Sequence, residues 1–126
     1  MTIGILVGQR IDAALAGLYI AAQLIVTVCA GVLLETVMTF FQVMAVYGTA
    51  VDPEAPKIGG FGIGLTVAFD ILLGGPLSGA SMNPARTFGP ALASGYWDNH
   101  LVYWIGPIIG GVVAGLVYIN FFMSKS

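Results

Sequence analysis

Charge is what this 126-residue sequence has least of: four lysines and arginines, six aspartates and glutamates, one histidine, and with them a single cysteine. So few scattered basic residues build neither a phosphate-tracking stripe for nucleic acid nor a polybasic arm for an anionic lipid surface. One cysteine excludes an intrachain disulfide framework, and Cys29, set in an apolar run, reads as a small buried hydrophobe. There is no cluster of histidine, cysteine and carboxylate at metal-ligand spacing, no phosphate-binding loop and no nucleophile with a base, so the sequence gives no support to an enzyme, a metal site or a cofactor. The apolar start Met1 to Arg10 carries its positive residue last and has no cleavage site, which is not the order of a signal peptide. What fills the chain instead is 58% hydrophobic residues and 18 glycines, a composition too apolar for a water-soluble domain of this size.

A bilayer is crossed by about 20 mainly apolar residues, as helix, because backbone polar groups find no water in hydrocarbon. The chain therefore reads as an all-α membrane protein with about four transmembrane helices and one re-entrant half-helix, in a single membrane domain over 1–126. The expected spans are 11–31, 35–51, 58–73 and 101–123, with the re-entrant segment at 74–95. Between Ile11 and Val51 one helix would reach roughly 60 Å, about twice the hydrocarbon thickness. A reversal near Gly31 to Glu35 is expected for that reason, although Ala30-Gly-Val-Leu-Leu-Glu35 offers one glycine and no proline or asparagine. Two prolines and three charges in Val51-Asp-Pro-Glu-Ala-Pro-Lys57 end the next helix. With these spans Arg10, Lys57 and Lys125 share one side, which the positive-inside rule makes cytoplasmic; a single span over 11–51 would divide them.

The segment 74–95 is glycine- and proline-broken, and such backbone enters a membrane only where protein or a water-filled cavity satisfies it. Asn83-Pro84-Ala85 has the form of a helix start, with asparagine suited to the cap and proline to the first helical position. A half-helix from Pro84 to about Ala93, ending near Gly95, would point partial positive charge and the Asn83 amide into the membrane interior. Cations and protons are repelled there, whereas a neutral hydrogen-bonding molecule passes. Arg86, one turn in, is tolerable only beside an aqueous cavity, where its donors suit a polar constriction.

Ser78-Gly-Ala-Ser-Met-Asn-Pro-Ala-Arg-Thr-Phe-Gly-Pro-Ala91 resembles the second Asn-Pro-Ala loop of the major intrinsic proteins, the aquaporins and their relatives. Glu35-Thr-Val-Met-Thr-Phe-Phe and Val46-Tyr-Gly-Thr-Ala-Val-Asp52 are similar to that family's fourth helix, and Tyr19-Ile-Ala-Ala-Gln23 to its third. The resemblance implies a passive channel for water and small neutral solutes such as ammonia. In it Asn83, Pro84 and Ala85 form the pore-centre motif, and Arg86, Ala80 and Ile71 line the selectivity constriction. Ile71 stands where strictly water-selective members tend to carry histidine, and with the small Ala80 this is similar to the tonoplast-type, ammonia-permeable branch. Tyr103-Trp104, Thr87 and Ala91 are similar to the water-channel pattern, Thr87 replacing a more usual serine. The family's pore joins two inverted repeats with one such motif each, and this sequence carries the motif once, in the position of the second. The resemblance further implies homo-tetramers embedded in a lipid bilayer, with water or a small neutral solute as the permeant and no nucleic acid. A non-conducting truncated product, or a membrane subunit associating with intact channel protomers, is the alternative.

Glu35 has two readings: a carboxylate at the interface near a helix N-terminus, or, by the resemblance, a buried acceptor for backbone N–H groups of the Asn-Pro-Ala loop. Gln23 reads as an interhelical hydrogen bond. Asp70 lacks the partner a proton relay requires, and His100 reads as part of an interfacial loop. Gly106, Gly110, Gly111 and Gly115 follow the spacing of close helix packing.

Overall fold

The computed structural model describes residues 1–58 and 60–123, whose regular structure is helical throughout. In chain order the helices are α1 (Thr2–Val7), α2 (Ala13–Val46), α3 (Gly60–Ser78), α4 (Pro84–Ser94) and α5 (Val102–Phe121), and α2 passes directly into a π-helical turn, Tyr47–Val51. Among the described residues three stretches are long and apolar enough to cross a membrane: Ala13–Val51, Gly60–Ser78 and Val102–Phe121.

Four spans were expected, and the difference lies at 31–35. Helix α2 runs through that segment with no reversal. The physical reason is local: alanine, valine, leucine and glutamate all accept the helical backbone, and the single glycine costs about 1 kcal/mol, too little to stop an established helix. The segment holds no proline to remove a donor and no asparagine to compete for one. The two halves of the stretch nonetheless belong to different compact units, Met1–Ala30 and Gly31–Ser126. Lys125, one of the three basic residues assigned to a common side, lies outside the described residues.

In the first unit Asp12 caps α2, its carboxylate accepting the Leu15 N–H at 2.7 Å. The Gln23 amide donates to the Thr2 hydroxyl at 3.1 Å, an interhelical bond between α1 and α2 as expected. Cys29 is exposed rather than buried: it stands on a helix surface that this unit leaves uncovered.

In the second unit the later part of α2 packs against both α3 and α5, and glycine sets the approach. A Cβ at Gly106 of α5 would lie 2.7 Å from the Glu35 Cβ and 2.8 Å from the Val32 carbonyl oxygen, and one at Gly110 would strike the Thr36 carbonyl. Ala114, wholly buried, continues the same stripe one turn on. Gly111 and Gly115 stand beside it with ordinary space around them. On the other side Gly74 of α3 admits the Met38 thioether, where a methyl would collide with sulfur. Thr36 and Thr39 satisfy their hydroxyls by donating at 2.7 Å to carbonyls one turn back, so neither leaves an unpaired donor at the helix interface.

The π-helical turn ends α2 at Asp52, whose N–H reaches back to the Tyr47 carbonyl at 3.0 Å. Tyr118 of α5 stacks on Tyr47 with ring centroids 5.1 Å apart. Its hydroxyl donates to the buried Asp52 carboxylate at 3.1 Å, and the other carboxylate oxygen accepts the Glu54 N–H at 2.9 Å. This turn and its tyrosine clasp pin the end of α2 to α5, and the chain then enters α3.

Candidate functional site

The segment between α3 and α4 has backbone that its residue types do not favour. Gly79 is left-handed at φ 88°, but so are Ala80 at φ 47° and Met82 at φ 55°, and a non-glycine residue held there costs on the order of 1 to 3 kcal/mol. What holds it is Glu35, fully buried on α2. One carboxylate oxygen accepts the Ser78 hydroxyl at 2.7 Å and the Ser81 N–H at 3.1 Å, and the other accepts the Met82 N–H at 2.7 Å. Of the two readings of Glu35, the interfacial one does not describe a side chain with no exposed surface. The Ser78 hydroxyl also accepts the Ala80 N–H at 3.2 Å, and Tyr103 of α5 donates to the Ser78 carbonyl at 2.7 Å. Met38, Ala80 and Met82 then close over the loop as a buried cluster flanked by Leu34 and Val67.

That loop delivers Asn83 in extended conformation to the start of α4, where its side-chain oxygen accepts the Ala85 N–H at 2.9 Å and Pro84 takes the first helical position. The cap uses the amide oxygen and leaves the amide NH2 as a donor. Helix α4 ends at Gly95, left-handed at φ 71°, within a residue of the expected half-helix.

Two clefts meet at Arg86. The inner one, about 150 Å³, is lined by Gln42, Val67, Ser81, Met82, Asn83 and Arg86. The outer one, about 320 Å³, is bordered by Arg86, Thr87, Tyr96, Asp98, His100 and Tyr103 among others. In the outer cleft Asp98 pushes the Tyr96 phenol above its ordinary value, by a hydrogen bond first and by its charge second, so that hydroxyl stays neutral at any physiological pH. Asn83 and Arg86 are both exposed, and the donors they present face a helix N-terminus whose own partial charge is positive. The arrangement offers hydrogen bonds to a neutral or negative oxygen or nitrogen and is unfavourable to a cation.

The major intrinsic protein family model matches residues 26–118. The chain belongs to the major intrinsic protein family. It is 57% identical over 98 residues to aquaporin TIP4-4 of Zea mays, a match covering 75% of this chain and 38% of that protein. To aquaporin TIP2-1 of Arabidopsis thaliana it is 52% identical over 99 residues, covering 76% of this chain and 40% of the relative. Probable aquaporin TIP4-1 of Oryza sativa subsp. japonica is 39% identical over 154 residues, covering 99% of this chain and 61% of the relative. The chain thus spans between about two fifths and three fifths of the length of these relatives. The rice alignment is longer than the 126 residues of the chain, so that relative carries residues between matched blocks that this chain lacks. Family membership and the apolar helices together make this an integral membrane protein, and its relatives give it a resemblance to the tonoplast-type aquaporins.

Of the residues expected at the site, the structure brings Asn83 and Arg86 to one cleft, with Pro84 half-buried and Ala85 exposed behind them in the first turn of α4. Ile71 is 42% exposed on α3 and borders neither cleft, and the Ala80 side chain faces inward, wholly buried. Asp70, one residue before Ile71, is 6% exposed with one carboxylate oxygen unpaired. Gln42 was missed. The available signal was a lone amide in an apolar run, seven residues after Glu35 and hence on the same face of α2 two turns on.

Proposed function

We propose that this chain supplies the second Asn-Pro-Ala wall of a passive channel for water and small neutral solutes such as ammonia. The observation that carries the reading is the joint placement of Asn83 and Arg86 on one cleft at the N-terminus of α4, over a loop that Glu35 fixes. The Asn83 NH2 and the Arg86 guanidinium hold a permeating molecule by its lone pairs. The positive end of α4 and the Arg86 charge oppose entry of cations and protons. Passage is single-file diffusion down an osmotic or concentration gradient and requires no cofactor. Ile71 borders neither cleft and is assigned to the constriction by family resemblance, where an apolar side chain in place of an imidazole makes it less polar and favours ammonia; Ala80 contributes its small size and its backbone there, since its methyl points inward. The relatives' names, aquaporins of the TIP type, support the same class. The homo-tetramer belongs to this proposal by family.

So does the topology with Arg10, Lys57 and Lys125 on the cytoplasmic side. It requires two crossings between Arg10 and Lys57; the 39 residues of Ala13–Val51 amount to about 58 Å of helix, long enough for two passes of a hydrocarbon core about 30 Å thick, but two passes need a reversal that the unbroken α2 does not make.

A second reading is a membrane subunit that does not conduct by itself and associates with intact channel protomers. The exposure of Asn83 and Arg86 favours it, because this chain covers only part of their surroundings. Osmotic and ionic conductance of proteoliposomes, measured on the same preparation, separates the outcomes. The proposed channel passes water and excludes ions. Ion flux as ready as water flux overturns the transport class, and no water flux above protein-free vesicles favours the second reading.

A further inference from the structure

The inner cleft holds a polar group that the donors of Asn83 and Arg86 do not explain. Gln42 is one of its six lining residues, and its amide oxygen is enclosed and has no hydrogen-bond partner. A buried acceptor left unpaired is unfavourable by more than an ordinary hydrogen bond contributes, and in an apolar surround the imbalance is larger still. The neighbours that line the cleft do not relieve it. Val67 and Met82 offer no side-chain donor, and the Ser81 hydroxyl is committed to the Asn83 carbonyl at 2.8 Å. The terminal torsion of glutamine is soft, so rotation about it brings the oxygen to the cleft, and a volume of about 150 Å³ accommodates a few waters at about 30 Å³ each.

We propose that Gln42 is a hydrogen-bond acceptor for the permeating molecule, opposite the donors Asn83 and Arg86. The cleft then offers donors on one side and an acceptor on the other. The guest it suits has lone pairs and N–H or O–H hydrogens together: water, ammonia or a small alcohol or amine, in preference to a solute that only accepts. The assignment deepens the channel reading above and rests on it for the identity of the guest.

Two measurements test it on the full chain in liposomes. In the first, stopped-flow permeability to water and methylamine is compared with permeability to acetone, which has no N–H or O–H, for the wild type and Gln42→Leu. Loss of one neutral hydrogen bond lowers water and methylamine permeability by about three- to tenfold and leaves acetone permeability unchanged. Where the wild type conducts above protein-free vesicles, equal permeabilities in the two proteins, or an equal fall for all three solutes, overturn the proposal. The second reads the unmutated protein and does not depend on flux. In water-edited solid-state NMR the Gln42 side-chain amide receives magnetisation from water as rapidly as that of Asn83. Transfer as slow as to the enclosed Met38 side chain overturns the proposal whatever the variant does. Rapid transfer in a protein that passes no water leaves the Gln42 assignment standing and removes the channel reading, so the two failures are distinct.

Discussion

Removing the Glu35 carboxylate unlatches the loop that presents Asn83. The Ser81 and Met82 residues are 5% and 6% exposed, so in Glu35→Ala both backbone N–H groups lose the acceptor that satisfies them in the buried loop. Each orphaned donor is destabilising by about 1 to 3 kcal/mol. Relaxation of the left-handed residues Ala80 and Met82 returns part of that, at about 1 to 3 kcal/mol per residue if the loop rearranges fully. Partial relaxation leaves a net loss of about 3 kcal/mol, a factor of roughly 100 in the opening equilibrium. Glu35→Gln keeps one acceptor oxygen and sets an NH2 against either the Met82 N–H or the Ser81 N–H, and is expected to cost about 1.5 kcal/mol, roughly tenfold. Amide hydrogen exchange followed residue by residue in a bilayer reads this directly. Ser81 and Met82 exchange faster by about those factors while amides in the middle of α5 change little. If both amides in Glu35→Ala stay within about threefold of the wild type, the carboxylate does not hold the loop and the reasoning fails.

Other perturbations test neighbouring parts of the structure. Gly110→Ala places a methyl on the Thr36 carbonyl and forces α5 from α2, with an expected loss of about 1 to 3 kcal/mol in a denaturant titration. Gly111→Ala, whose Cβ meets only the Val43 side chain at 3.8 Å, serves as the neutral control. Tyr118→Phe strands an Asp52 carboxylate oxygen, and the expected loss is about 1 to 3 kcal/mol. Exchange of the Asp52 N–H, which closes the π-helical turn, reports where it acts. Asn83→Ala removes the cap of α4, an expected loss of about 1 kcal/mol, seen as faster exchange of the Ala85 amide.

The parts of the site governed by local chemistry were legible in the sequence. Asn83-Pro84 announces its own helix start, because a cap oxygen and a residue without an N–H answer the first unpaired donors of any helix, and Gly95 marks the end by accepting a left-handed backbone. The prolines and charges of 51–57 mark a loop for equally local reasons. The contact between Glu35 and the Asn-Pro-Ala loop came only through family resemblance. Its residues lie 43 to 47 positions apart, and no pattern in composition links a carboxylate to N–H groups at that distance. The left-handed conformation of Ala80 and Met82 was not readable at all, since those residue types disfavour it and tertiary hydrogen bonds impose it. At 31–35 the two levels pointed apart: bilayer thickness asked for a reversal, whereas the residues themselves are helix formers, and the helix continues. Gln42 was hidden by its surroundings, an amide among apolar residues whose meaning depends on which face of α2 meets the cleft.

The measurement that bears most directly on the central claim is osmotic water permeability of liposomes containing this chain, with and without Arg86→Ala. Asn83 and Arg86, as the polar wall of a water pathway, predict flux above that of protein-free vesicles and a change in the ratio of water to larger neutral solutes when the guanidinium is removed. Flux equal to that of protein-free vesicles, or flux with the same selectivity in both proteins, contradicts it.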